Sequence, residues 1–388
     1  MSNSVLTGGR VVDPASKTDE IADVVIRDGV IEAVGQGLVA AHPDLPVHDL
    51  SGCVVTPGLI DLHAHVATGL GDFCLEPDRA GVQSGVPTVI DGGTSGVATF
   101  GITRRLWDQA AVKTRVLAFL DPNQLYLATK DFICHKLEIA NDIRNLDVDS
   151  ARECLEANAD IVIGMKVRAC WTEDPNVSPF VEAAKQVTGS MPVMVHLGRF
   201  PFTPVIPTDA LLDTLRGGDI LTHAYRGASG VLDGNGKVTP QFRDAVDRGL
   251  LLDVGHSGTD FRFRDARKLF DQGYLPTSAS TDLNIFSIEG PVYSLAETLS
   301  KMWAMGVELS DVIAMGTTGP AQAVHREDVL GALEPGRIAD ISVLEIVEGD
   351  DLTVSDGFET VVVERKLASA GCYRSGEWHA AGGAGVEA

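Results

Sequence analysis

Between Val54 and Asp282 the chain repeats one unit eight times, a short apolar run followed by a segment with helical spacing. The runs are Val54 to Val66, Val86 to Gly92, Arg115 to Asp121, Asp160 to Val167, Pro192 to Leu197, Asp219 to His223, Leu250 to His256 and Pro276 to Asp282. Most are separated by roughly 25 to 35 residues, enough for a crossover helix and little else. Strands joined by such crossovers run parallel, and eight of them close a barrel, so this rhythm predicts a (β/α)8 fold.

Helix signals fall where the outer ring needs them. Ser178-Pro179 opens a segment ending at Gly189, and Thr239-Pro240 opens another that places Phe242, Ala245 and Val246 on one face before Gly249. The stretches Ser294 to Met305 and Ser310 to His325 also have helical spacing and are expected to complete the ring. The flanks differ: Val5 to Leu38 and Ala339 to His379 carry β-like runs and turn residues without helical periodicity. Two half-sets of strands at opposite ends of a chain can pair, so they are expected to form one small discontinuous β-sandwich beside the barrel. The expected division is 1–53 and 331–388 for the sandwich and 54–330 for the barrel, with Ala380 to Ala388 as a frayed tail.

Composition excludes several functions. With 388 residues, 44% of them hydrophobic, the chain can bury a large core. No apolar stretch approaches the roughly 20 residues of a membrane span, and Met1 to Gly8 does not resemble a signal peptide, which points to the cytoplasm. A net charge of −23 repels phosphate backbones and anionic membranes, so neither nucleic acid nor membrane is an expected partner. The six cysteines are scattered without a CxxC pair and are expected to be reduced thiols. Barrels of this kind commonly self-associate, and an acidic surface does not forbid a homo-oligomer.

The chemistry is concentrated at strand ends. His63-Ala64-His65 closes the first run, and residues two apart on a strand face the same side, so both imidazoles can reach one ion. Alone, such a pair is more often surface or core decoration. Later runs, however, end in Lys166, His196, His223, His256 and Asp282. Barrel strands converge on one C-terminal mouth, so these residues become neighbours around a single cavity and predict a metal centre.

The run Pro57-Gly58-Leu59-Ile60-Asp61-Leu62-His63-Ala64-His65, with Lys166, His196, His223 and Asp282, resembles the amidohydrolase superfamily along essentially the whole chain. Gly164-Met165-Lys166-Val167-Arg168, Thr222-His223-Ala224-Tyr225-Arg226-Gly227 and Ser280-Thr281-Asp282 look like its dihydroorotase-related amidohydrolase/deacetylase branch. The resemblance implies that His63 and His65 hold one divalent ion and His196 and His223 a second, with Lys166 N6-carboxylated and bridging both. Asp282 would ligate the first ion and act as general base toward a water bridging the pair. Zinc suits imidazole and carboxylate donors, with manganese, cobalt or iron as substitutes.

Four further residues are candidate substrate contacts. Arg168, Tyr225 and Arg226 follow the ligand positions, where a guanidinium could clamp a carboxylate and a phenol could donate to an oxyanion; each could equally be a mouth or interface residue. His256 could bind substrate, orient a ligand or be a satisfied core histidine. Asn284 stands where the branch is expected to have histidine, which leaves the ligand set intact but departs from the branch at a position expected to line the pocket, so a branch substrate does not simply carry over. Asp91, in Asp91-Gly92-Gly93-Thr94, could be structural.

The expected function is therefore metal-dependent hydrolysis of an amide or ester in a small, carboxylate-bearing molecule, such as an N-acyl amino acid or O-acyl hydroxy acid. Cyclic-amide hydrolysis of the dihydroorotase or hydantoinase kind is the nearest alternative. A catalytically silent scaffold is another, disfavoured by the complete ligand set.

Overall fold

The computed structural model describes residues 3–109, 111–126, 141–198 and 203–382. Seven strands form one parallel sheet: β1 (Ile60–Ala64), β2 (Thr88–Gly96), β3 (Arg115–Asp121), β4 (Val162–Arg168), β5 (Val193–His196), β6 (Ile220–Thr222) and β7 (Leu251–Asp253). They are hydrogen-bonded in chain order. β1, β2 and β4 are buried at every position, because one face points into the barrel and the other lies under helices.

The eighth run closes the ring without a regular ladder. Parallel bridges join Asp253 to Ser278 and Ala64 to Leu283, and the Asp282 N–H donates to the His63 carbonyl at 2.6 Å. The Val254, His256 and Ser257 N–H groups donate to the Ser278, Ser280 and Thr281 carbonyls at 3.0, 3.2 and 2.8 Å, and side chains add to these: the Thr281 N–H donates to Asp61 at 3.1 Å, and the Ser280 hydroxyl to Asp253 at 2.8 Å. Two carboxylates, one from β1 and one from β7, thus reinforce the backbone bonds and clamp the segment that carries Asp282. Together with its helices this makes the (β/α)8 barrel expected from the eightfold rhythm.

The outer ring follows the capping signals. Pro179–Thr188 is capped by Ser178, whose hydroxyl accepts from the Val181 N–H at 3.4 Å, and Pro240–Asp247 by Thr239, which accepts from Phe242 at 3.3 Å. Leu295–Ala304 lies within the expected Ser294 to Met305 stretch. The stretch Ser310 to His325 is two helices rather than one, Leu309–Ala314 and Thr318–Ala323. The break has a cause: the Gly316 carbonyl accepts from the Ile60 N–H at 2.7 Å and that of Met315 from Ala279 at 3.1 Å. Both carbonyls are turned toward the barrel.

The first run, Val54 to Val66, divides between two structures. Its beginning, the strand Cys53–Pro57, pairs antiparallel with Ile341–Ser355 (Ile341 opposite Pro57) and parallel with Arg10–Asp13. Its end is β1. The chain crosses from one to the other at Gly58, where a side chain would meet Pro87 and Asp340 at under 3 Å.

The flanking strands form a four-stranded sheet from the N-terminal segment and a six-stranded sheet from both ends of the chain. Leu6, Val24 and Ile26 of the first pack with Val11, Val55, Ile341 and Val343 of the second in one apolar core. Cys53, Cys74, Cys154, Cys170 and Cys372 are free thiols. Cys134 and positions 383–388 of the expected tail lie outside the described residues. Among the described residues no helix is long and apolar enough to cross a membrane.

Candidate active site

All six residues expected to hold metal meet at the C-terminal mouth. His63 lies on β1 and His65 just beyond it, Lys166 on β4, His196 at the end of β5, His223 directly after β6 and Asp282 on the eighth segment. The Asp282 carboxylate lies 3.0 Å from His65 Nε2, 3.5 Å from His63 Nε2 and 3.9 Å from His223 Nε2. The His196 and His223 rings are 4.2 Å apart between centroids. Lys166 Nζ stands 2.9 Å from His63 Nε2 and 3.3 Å from the Gly92 carbonyl. Gly92 and Gly93 make room for this: a Cβ on Gly92 would sit 2.1 Å from the His63 ring, and one on Gly93 2.4 Å from the Lys166 stem.

Each imidazole whose outer partner is defined is tied through Nδ1. His63 Nδ1 bonds Thr222 Oγ1 at 3.0 Å, His65 Nδ1 bonds Thr94 Oγ1 at 2.7 Å, and His223 Nδ1 bonds the Gly255 carbonyl at 2.7 Å. All three therefore turn Nε2 toward Asp282. His223 Nε2 and Asp282 Oδ1 are buried with no hydrogen-bond partner. Two buried polar atoms left this way cost free energy unless something fills the space between them. His223 and Asp282 also hold left-handed backbone, at φ 67° and 49°, a conformation that non-glycine residues adopt mainly where surroundings enforce it.

Burial sets the protonation of the cluster. It lowers the imidazoles of His63 and His196 well below their ordinary value, with Lys166 adding to the effect on His63 and Arg168 on His196. It lowers His223 to about 4. Near neutral pH these rings are neutral and offer lone pairs. Burial would raise the Asp282 carboxyl, but the facing His63 and His65 outweigh it and hold the group below the usual carboxylate range. Burial also lowers the Lys166 ammonium to about 8, which brings a reactive neutral amine within reach near neutral pH. Among the described residues no carboxylate lies within ion-pair distance of Lys166, so it is not an ordinary salt-bridged lysine.

A cavity of about 200 Å³ opens above the cluster, walled by Phe73, Tyr126, Arg168, Asp260, Asn284 and Phe286 among others. Arg168 is where a substrate contact was expected, its Nε donating to the Tyr126 hydroxyl at 3.1 Å. The other three candidates do not line the cavity. Tyr225 is fully buried and its hydroxyl donates to the Tyr274 carbonyl at 3.2 Å. Arg226 donates to the Leu197 carbonyl at 2.9 Å and pairs with Asp260 at 3.0 Å. Asn284 donates to the Asp282 carbonyl at 2.9 Å and accepts from the Phe286 N–H at 2.9 Å, fixing the turn just past the carboxylate.

His256 faces away from the cavity: its Nε2 lies 3.0 Å from Lys301 Nζ, and its Nδ1 accepts from the Gly258 N–H at 3.1 Å. Lys301 is fully buried, and burial lowers its ammonium to about 7. Because the unfolded lysine titrates near its ordinary 10.5, the unfolded state binds more protons between the two values, and stability should rise as pH increases through that window. Lys301→Met should therefore flatten that rise, even though it also removes the bond from the ammonium to the Pro291 carbonyl at 2.7 Å. Thermal melts between pH 7 and 10 check this, and an unchanged slope in the variant would refute it.

Asp260 and Tyr126 are polar cavity residues that the sequence did not single out. Asp260 lies within ligand reach of His223 and Asp282, and Tyr126 lies on the irregular segment after β3. Neither ends a strand, so the rhythm that located the others carries no signal for them.

A model described as the amidohydrolase family matches residues 239–368. A deacetylase of Brucella anthropi is 32% identical over 348 residues, 88% of this chain and 83% of that protein. Among solved structures, an adenine deaminase has a TM-score of 0.85 at 26% identity, covering 98% of this chain and 100% of its own. A dihydroorotase has a TM-score of 0.84 at 28% identity, with 98% of both chains covered.

Proposed function

Because this chain belongs to the amidohydrolase superfamily and is a metal-dependent hydrolase, we propose that it cleaves an amide or ester bond in a small acylated molecule bearing a carboxylate. The observation that carries this reading is the meeting of four imidazoles, Lys166 and Asp282 at one barrel mouth, with the Arg168 guanidinium lining the same cavity. The relative named a deacetylase along most of its length supports acyl removal. A cavity of about 200 Å³ favours a small substrate.

The donor set fits divalent cations. His223 Nε2 and Asp282 Oδ1 are buried without partners, and neutral imidazoles beside a carboxylate are the donors that zinc prefers. His63 and His65 would hold one ion and His196 and His223 another, with Lys166 between them. When bound, the ions supply Lewis acidity, lowering the pKa of water and polarising the scissile carbonyl.

The chain's own residues supply the rest. The Lys166 amine adds to carbon dioxide through its nitrogen lone pair, a C=O electron pair moves to oxygen, and a proton leaves to solvent. The product is an anionic carbamate. Asp282 accepts a proton from the attacking water and returns it to the departing nitrogen or oxygen. Arg168 holds the substrate carboxylate, with Tyr126 steadying the guanidinium through the 3.1 Å bond. Asn284 keeps the turn past Asp282 in place through its bond to the Asp282 carbonyl. The protein acts in the cytoplasm on a small molecule, and its net charge of −23 disfavours nucleic acid and anionic membranes.

Arg168→Met tests the carboxylate contact. A charge-assisted hydrogen bond is worth about 1.5–3 kcal/mol, so KM for a carboxylate substrate should rise roughly 10- to 100-fold with kcat much less affected. The corresponding methyl ester should be indifferent to the change. Equal losses for acid and ester would remove Arg168 from substrate binding. Cyclic-amide hydrolysis is a second reading, favoured by the similarity to the dihydroorotase structure over nearly the whole chain.

A further inference from the structure

His63 and His65 share an outer arrangement that His223 lacks. The Thr222 hydroxyl that meets His63 Nδ1 at 3.0 Å donates its one proton to Asp253 at 2.6 Å. The Thr94 hydroxyl that meets His65 Nδ1 at 2.7 Å donates its proton to Asp91 at 2.9 Å. A hydroxyl that has given away its proton can only accept from the ring, so each imidazole must carry its hydrogen on Nδ1 and its lone pair on Nε2.

Both carboxylates are fixed in turn. Asp91 also accepts from the Val66 N–H at 2.9 Å and the Thr94 N–H at 2.7 Å, and Asp253 from the Ser280 hydroxyl at 2.8 Å. All four relay residues are buried, at 1% exposure or less. His223, by contrast, is backed by the neutral Gly255 carbonyl at 2.7 Å.

An anion behind an imidazole makes its far nitrogen a stronger donor and fixes the ring's direction. We propose that Thr94 and Thr222 are positioning residues that make the ion site of His63 and His65 the tighter of the two, leaving the His196 and His223 site more readily emptied. This inference rests on the proposed binuclear reading. It goes beyond it by ranking the two sites and assigning the difference to two threonine hydroxyls. No proton changes place in the arrangement, so its effect is on affinity and ring orientation rather than on the reaction.

The test uses the full chain loaded with zinc, with ion content measured by elemental mass spectrometry as a competing chelator is raised. Two successive losses are expected for the unchanged protein. In Thr94→Val and in Thr222→Val, which keep side-chain shape, the tighter affinity should fall about 10- to 100-fold while the weaker changes much less. Serine at either position should restore it. Unchanged tight-site affinity in both valine variants, or equal weakening of the two sites, would overturn the proposal while leaving binuclear binding intact. Failure of the unchanged protein to retain any zinc would instead sink the binuclear reading itself. Should valine prevent folding, the ring nitrogen resonances of the metal-free unchanged protein decide: hydrogen on Nδ1 of His63 and His65 is expected, and hydrogen on Nε2 of either overturns the relay.

Discussion

Asp282→Asn is expected to lower kcat/KM by about 10³-fold or more while the protein keeps its fold and most of its bound ions. Asparagine preserves the shape and one carbonyl oxygen, and the turn that presents residue 282 is held by others. Asn284 donates to its carbonyl and Asp61 holds Thr281 beside it. What asparagine cannot do is accept a proton from water and return it. Among the described residues the carboxylate is the one acidic group within 3.5 Å of both His63 and His65 Nε2, and the nearby Asp260 is paired with Arg226 at 3.0 Å. Steady-state kinetics with ion content measured on the same sample checks this. Wild-type rates in an ion-loaded variant would remove Asp282 from proton transfer.

Lys166→Ala should have a comparable effect by a different route. The lysine nitrogen lies 2.9 Å from His63 Nε2, between the two proposed ion positions, and burial lowers it to about 8, so a usable fraction of the neutral amine that adds to carbon dioxide is present near neutral pH. Alanine removes the two carbamate oxygens that would be shared, and two nearby dications would then face each other without an anion between them. Loss of at least one equivalent of metal and a roughly 10³-fold or greater fall in activity are expected. A small carboxylic acid that can enter the vacated space should recover part of both. In the unchanged protein, reconstitution with zinc in carbon-dioxide-free buffer should recover far less activity than with bicarbonate, and a ¹³C-carbamate resonance should appear with labelled bicarbonate. Full metal content in Lys166→Ala would count against the carbamate.

Much of this site was readable before any coordinates because strand ends are special positions. A barrel brings the ends of its strands together, so His63, Lys166, His196, His223 and Asp282 needed only to be recognised as ends to be recognised as neighbours. The helices at Pro179–Thr188 and Pro240–Asp247 were readable because a serine or threonine followed by proline satisfies the first turn locally. Where local signals competed with distant partners, the sequence was a poorer guide. The segment from Ser310 to His325 has helical spacing throughout, yet the Met315 and Gly316 carbonyls bond to Ala279 and Ile60, and the helix breaks there. The run from Val54 to Val66 reads as one strand-like stretch, yet it serves two sheets, because its first half pairs with Ile341–Ser355 and Arg10–Asp13.

The mouth residues outside strands were the least legible. Tyr225 and Arg226 follow a ligand position and were natural candidates, but the turn after His223 directs the phenol to Tyr274 and the guanidinium to Asp260. Asp260 and Tyr126 reach the cavity from irregular segments with no periodicity to betray them. Thr94 and Thr222 are unremarkable in sequence, and their relation to His65 and His63 exists only once strands β1, β2 and β6 are set side by side.

The most direct test of the account is hydrolysis of a mixed panel by the zinc- and bicarbonate-reconstituted protein: N-acetyl amino acids of both hands, O-acetyl hydroxy acids, dihydroorotate and hydantoins. Acetate release from one or more of the acylated acids is predicted, faster for one hand, abolished by chelation and by Asp282→Asn. Ring opening of the cyclic amides with the acylated acids untouched, in protein carrying its full complement of ions, would contradict it.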